Sequence, residues 1–90
     1  MEIETRIRSI LADQLEVAPE VLAATGPTTP LIGRGIGLDS VQALGLAVGV
    51  EAEFGIRISD EDLTVDLFAD LASLTRFVLE KLSRKGGASA

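Results

Sequence analysis

Ninety residues make one small domain, which buries only about 60% of the surface its unfolded chain exposes, and a hydrophobic share of 47% suits a packed globule, not a disordered chain. Eight basic against fourteen acidic residues give a net charge of −6, which repels nucleic-acid phosphates and suits basic protein partners. Cys and His are both absent, so disulfides, a thiol nucleophile, a thiolate metal site and the commonest general base are excluded, and an enzyme is not expected.

The three aromatic residues are all Phe, so the core is expected to be aliphatic. The opening Met1-Glu2-Ile3-Glu4 is acidic where a secretory signal is basic. No run approaches the roughly 20 apolar residues of a membrane span. A cytoplasmic, monomeric protein with no membrane and no nucleic-acid partner is expected.

Ile3, Ile7, Ile10, Leu11 and Leu15 fall on one stripe at helical spacing and predict a helix from Ile3 to about Val17, stopped by Pro19. Arg6, Arg8, Asp13 and Glu16 lie off that stripe. A long irregular stretch follows, about Ala18 to Gly37, with three prolines and four glycines. Loops of this length are usually functional or disordered. Val21, Leu22, Leu31 and Ile32 are expected to pin it to the core, with a helical turn at Glu20–Ala24.

The next helix is expected from Asp39-Ser40 to Phe54, closed by Gly55. Val41, Leu44, Ala47, Val48 and Phe54 are its expected inward stripe, with Val50 at the edge. Gly45 and Gly49 lie four apart on another face, each costing about 1 kcal/mol relative to Ala. Ser59 caps a short helix, with Asp62 three residues on. The last helix runs from about Ala69 or Asp70 to Ser83, on Leu71, Leu74, Phe77, Val78 and Leu82. Lys81, Arg84 and Lys85 sit near its C-terminus, where cations suit the dipole. No segment alternates at period two. The fold is expected to be all-α: a small helical bundle of three main helices plus one short helix, with a long loop between the first two main ones. Residues 1–85 form the domain and 86–90 a flexible C-terminal tail.

The candidate site is Gly37-Leu38-Asp39-Ser40-Val41, where the loop meets a helix. Alone, Asp-Ser before a helix reads as a cap. The same position also places a hydroxyl near unpaired helical N–H groups that favour a phosphate. The acids Asp60, Glu61, Asp62 and Asp66 do not match an EF-hand in spacing or glycine placement. They read as a solvated helix start, and no metal site is expected.

The segment Gly37–Val41, followed by Glu51-Ala52-Glu53-Phe54-Gly55-Ile56, Ile58-Ser59-Asp60-Glu61-Asp62-Leu63 and the stretch Phe68 to Val78, resembles the acyl carrier protein family. Pro30-Leu31-Ile32-Gly33 is similar to the family's approach to its Asp-Ser motif. The resemblance covers nearly the whole chain. It implies a 4′-phosphopantetheine arm attached to Ser40 by a phosphopantetheinyl transferase, with Asp39 assisting that modification. It also implies acyl-loading and acyl-using partner enzymes, and an arm whose thiol carries acyl groups as thioesters. That would let a chain without Cys serve thiol chemistry.

Partner contacts implied by the resemblance fall on Leu38, Val41, Gln42, Gly45, Gly49, Glu51 and Arg57. The chain departs from fatty-acid-type carriers on this helix. Gln42, Gly45 and Gly49 occupy a face that is acidic in the family, and Ala52 interrupts its usual run of Glu. The departure points to a specialised carrier, in secondary metabolism or a modification pathway, in place of general fatty acid biosynthesis. A peptidyl or aminoacyl carrier, and a helical protein–protein interaction module without a prosthetic group, are the alternatives. Leu44, Ala47, Phe54, Leu74 and Phe77 are expected to be core.

Overall fold

The computed structural model describes residues 2–89, with side chains as far as Arg84. Four α-helices follow one another: α1, Glu2–Asp13; α2, Pro19–Ala23; α3, Ser40–Phe54; and α4, Leu71–Ser89. A single 3₁₀ turn, Asp60–Asp62, stands between α3 and α4. No strand occurs among the described residues; the nearest approach is an isolated parallel bridge between Ile32 and Leu38. The all-α bundle with three long helices agrees with the sequence expectation.

Helix α1 packs against α2, α3 and α4. It does so because Ile7, Ile10 and Leu11 lie on one stripe and are all buried, with Ile3 and Leu15 packed at the margin. The helix ends four residues before the expected Val17. Its hydrogen-bond ladder widens at the end, with Leu15 N and Val17 N donating to Ile10 O at 3.3 Å and Leu11 O at 2.9 Å. Glu16 takes a left-handed φ of 55°, and this reversal stops the helix before Pro19 is reached.

The long loop is tied at both ends. Arg8 of α1 donates from Nη1 to Leu22 O at 2.9 Å and from Nη2 to Thr25 O, so its guanidinium holds carbonyls at the C-terminal end of α2. Further on, Leu38 N donates to Leu31 O at 2.9 Å, and both leucines are buried. Pro27 O accepts from Ala72 N at 2.8 Å, so the loop also satisfies a first-turn amide of α4. At Gly35, with φ 70°, a Cβ would fall 2.2 Å from Pro30 O, so only glycine permits this fold-back. Two of the expected anchors are not anchors: Val21 and Ile32 are exposed, while Ile36 and Leu38 pack inward.

Helix α3 lies about its axis differently from the expected stripe. Ala43, Leu46, Ala47, Val50 and Phe54 are buried, whereas Val41, Leu44 and Val48 face solvent. Leu44 therefore leaves the core list, and Phe77 is half-buried. Gly55 ends α3 with φ 65° and donates to Glu51 O at 2.9 Å. The following chain is fastened by Glu51, whose Oε2 accepts from Ile58 N at 2.6 Å. Ser59 and Asp62 then form the expected reciprocal capping box.

Helix α4 buries Leu71, Leu74, Thr75 and Val78. It begins on Asp70, whose Oδ1 accepts from Ser73 N at 2.8 Å. Its backbone stays helical to Ser89, past the expected end at Ser83 and through most of the expected tail; Ala90 lies outside the described residues. Gly86 and Gly87 fall in the expected flexible tail, but helical glycine costs only about 1 kcal/mol each, and the helix continues through them. The expected group of terminal cations divides accordingly. Lys81 pairs with Asp62 at 3.2 Å, and Arg84 lies 3.8 Å from Glu80. The Lys85 side chain lies outside the described residues.

Candidate functional site

The loop delivers Asp39 to α3 in an extended conformation, φ −91° and ψ −179°, as the N-cap. Asp39 Oδ1 accepts from Gln42 N at 2.8 Å, and Gln42 Oε1 accepts from Asp39 N at 3.1 Å. This closed pair is a capping box, and it assigns the cap to Asp39 alone. Ser40, the first residue of α3, is exposed, and its hydroxyl makes no hydrogen bond among the described residues. The structure thus separates two roles that the dipeptide leaves merged: Asp39 holds the helix start, and Ser40 is free of that duty. The amides of the first turn give this end of α3 a positive field, which favours an anion at Ser40.

Ser40 stands at the edge of an open pocket of about 260 Å³ walled by Ile32, Leu44, Leu63, Val65 and Phe68. Reading the sequence did not assign Val65 or Ile32 to the site. Both are exposed apolar residues outside the helices, Ile32 in the bridge to Leu38 and Val65 in a turn, a signal the sequence holds but which the chain's folding alone brings to Ser40. The arrangement fits a phosphodiester-linked arm: a free hydroxyl, a helix N-terminus for the phosphate and apolar walls beside it.

The seven expected partner contacts fall into two groups. Val41 and Gly45 are exposed on α3, Arg57 is exposed beyond its end, and Gln42 is half-buried in the capping box. Leu38, Gly49 and Glu51 serve the interior. Leu38 is buried against the core, since its backbone pairs with Leu31. Gly49 is buried where α3 meets α1, beside Ile10 and Gln14. Glu51 spends its carboxylate on Ile58 N. The reading that puts Gly45 and Gly49 together on the partner face is therefore corrected for Gly49, which is buried against α1, whereas Gly45 is exposed with Leu15 as its neighbour.

The outward face of α3 is apolar instead. Val41, Leu44 and Val48 are 79%, 54% and 59% exposed, at spacings that put them on one stripe running away from Ser40. Beside it, Val48, Ala52, Ile56 and Ile58 line an open groove together with Glu51, Arg57, Ser59 and Asp60. The other acid of α3, Glu53, pairs with Arg6 at 2.8 Å, and that guanidinium also lies 4.4 Å over the Phe54 ring. Among the described residues no helix is long and apolar enough to cross a membrane.

The sequence profile of the family described as "Phosphopantetheine attachment site" matches residues 5–78. The chain is similar to the acyl carrier protein of Cyanidium caldarium, 28% identical over 87 residues that cover 97% of this chain and 94% of that one. It is 33% identical over 61 residues to the acyl carrier protein of Thermosynechococcus vestitus, covering 68% of this chain and 70% of the relative. It is 32% identical over 62 residues to that of Nitratidesulfovibrio vulgaris, covering 69% and 76%.

Proposed function

The chain belongs to the acyl carrier protein family, and from that premise we propose that it holds acyl intermediates as thioesters on a 4′-phosphopantetheine arm joined to Ser40 and presents them to acyl-loading and acyl-using enzymes. Carriers of this family hold a covalent 4′-phosphopantetheine and are not enzymes. The arm supplies the thiol that this chain lacks.

The observation that carries the assignment to Ser40 is the division of labour at the start of α3. Asp39 closes the capping box with Gln42, so the exposed Ser40 hydroxyl is not needed to hold the helix. Ser40 remains available for modification without loosening the fold. Helix α3 orients the attached phosphate at its positive end, and the apolar walls at Leu44, Val65 and Phe68 offer a dry surface beside it. Tethering then raises the effective concentration of cargo at each partner.

A dedicated pathway, in the cytoplasm, is the finer reading. Gly49 no longer supports it, because that residue serves the α1 contact. The uncharged stripe of Val41, Leu44 and Val48 does support it, since a basic partner surface finds no acid there. Comparable turnover of the loaded chain by general fatty-acid condensing enzymes and by their own carrier would remove the specialised reading.

The assignment is tested by intact mass. Incubation with coenzyme A and a broad-specificity phosphopantetheinyl transferase adds one phosphopantetheine, and Ser40→Ala abolishes the addition while leaving the helical circular dichroism signal unchanged. An adduct that persists in Ser40→Ala overturns the assignment.

A further inference from the structure

We infer that Arg57, Lys81 and Arg84 form a docking pocket for an acidic segment of a partner protein, at the end of α3 remote from Ser40. The pocket is separate from the attachment residue, so the inference does not rest on the arm.

Gly55 turns the chain at the end of α3 with φ 65°. Ile56 and Arg57 follow it and come to α4 beside Lys81 and Arg84, which lie three apart on one face of that helix. Together they line an open pocket of about 300 Å³. Its walls hold three cations and no acid, on a chain whose net charge is −6. The chain answers these cations only in part. Arg57 is exposed and makes no ion pair among the described residues, although Asp60 lines the adjoining groove with it. Arg84 lies 3.8 Å from Glu80 with both side chains mostly in water, and such a pair contributes little. Lys81 is the one held in place, by Asp62 at 3.2 Å and by the Phe77 ring. Arg57 is one of the expected partner contacts, and the two α4 cations beside it fix the sign of that partner as negative.

The pocket's chemistry selects among anions. Two guanidinium groups present planar forks that match carboxylates. Ile56 and the methylene stems of the basic side chains give an apolar floor for an aliphatic side chain next to them. The carbonyl end of α3 lies at the same place, and its negative field disfavours the denser charge of a phosphate group. The acidic chain as a whole also repels nucleic acid. Helix α3 has 15 residues, so the pocket stands about 22 Å from Ser40. A partner held there leaves Ser40 and its apolar pocket open, and tethering keeps the carrier at that partner through repeated deliveries.

The test titrates the full chain into a fluorescein-labelled peptide of Glu residues interrupted by Leu, read by anisotropy, beside a counterpart with Gln in place of each Glu. Saturable binding of the Glu peptide is expected, weakened about tenfold between about 50 and about 500 mM NaCl. The Gln peptide should bind at least about tenfold more weakly. Arg57→Ser combined with Arg84→Ser is expected to weaken binding by about tenfold. Arg34→Ser combined with Arg76→Ser removes the same charge from exposed positions outside the pocket, and should change binding by less than about twofold. Amide shifts in NMR spectra should concentrate at residues 55–57 and 81–84. No saturable binding, equal losses in the two double variants, an undiminished Gln peptide, or shifts centred on Val41 and Leu44 overturn the inference. So does binding to phosphatidylglycerol vesicles that the Arg57, Arg84 double variant loses, since the pocket would then serve a lipid surface. Ser40→Ala is expected to bind the peptide as wild type does. Failure of arm transfer onto Ser40 would overturn the carrier assignment and leave this surface standing, so the two failures are distinct.

Discussion

Gly49 of α3 lies directly against Gln14, just beyond the end of α1: a Cβ added to it would stand 2.7 Å from Gln14 Oε1 and 2.9 Å from Ile10 Cγ2. The Gln14 amide is the end of a flexible side chain and can move. The Ile10 methyl is buried on a β-branched residue and cannot move cheaply. Gly49→Ala therefore gains about 1 kcal/mol of helix propensity and loses more to overpacking, which costs about 1–3 kcal/mol. A net destabilisation of about 1 kcal/mol is expected in urea unfolding. Gly45→Ala has the opposite sign. Its Cβ would meet only Leu15 Cδ2 at 3.6 Å, an ordinary contact, so a gain of about 0.5–1 kcal/mol is expected. Equal signs for the two variants would contradict the packing described.

Arg8 fastens the loop by a guanidinium fork. Its two terminal nitrogens reach Leu22 O and Thr25 O, while Nε lies 3.4 Å from Glu4. Arg8→Ala removes a charged donor from two carbonyls and is expected to cost about 2 kcal/mol. Arg8→Lys recovers only part of this, because an ammonium is a point charge and lacks the planar fork. Amide exchange supplies the local check: protection at Ala24 and Thr25 falls in both variants, with the larger fall in Arg8→Ala.

These two cases show where the sequence was readable and where it was not. Ser59 and Asp62, Asp39 and Ser40, and the stripes of α1 and α4 are local patterns, and each was visible as spacing. Helix α3 was placed correctly at both ends but turned wrongly about its axis. Apolar residues occupy nearly all of its circumference, so periodicity offers two stripes of similar quality. Counting back from the bulky Phe54 by four, seven, eight and eleven reaches Val50, Ala47, Leu46 and Ala43, the buried set. The end of α1 was hidden for a different reason: a left-handed Glu16 is held by surrounding structure and not by its own preference. At the site, Asp39 and Ser40 were legible because a cap is local. The burial of Leu38 and the arrival of Val65 beside Ser40 were not, since both depend on how distant segments fold back.

Thr75 offers a test of the core. It is buried in α4, and its Oγ1 has no hydrogen-bond partner among the described residues. A buried hydroxyl without a partner carries a desolvation cost, which an isosteric methyl does not. Thr75→Val is expected to raise stability by about 1 kcal/mol, visible as a higher urea midpoint with an unchanged slope. A loss of similar size would mean that the hydroxyl is satisfied in solution.

Acid sensitivity is expected to originate at Asp62, which closes the capping box of the 3₁₀ turn, and at Asp70, which starts α4. The Ser73 amide, and then its side chain, hold Asp70 below its ordinary value of 3.8, and the nearby Arg76 charge adds to this. The Ser59 amide and side chain lower Asp62 in the same way, with help from Lys81. A depressed folded-state value means that the ionised form is favoured by folding. The stability from both groups is thus fully present above the unfolded value and is lost as pH falls through the folded values. Urea midpoints are therefore expected to decline below about pH 4, with no contribution from these groups to any change nearer neutrality. Asp70→Asn separates charge from capping, because Asn still accepts from an amide but does not titrate in this range. Its midpoint should fall less steeply than that of wild type between about pH 4 and pH 2. Asp70→Ala, which loses the cap as well, should in addition be weaker by about 1 kcal/mol at neutral pH. An acid slope in Asp70→Asn equal to that of wild type would remove Asp70 from the acid response and leave it only as a cap.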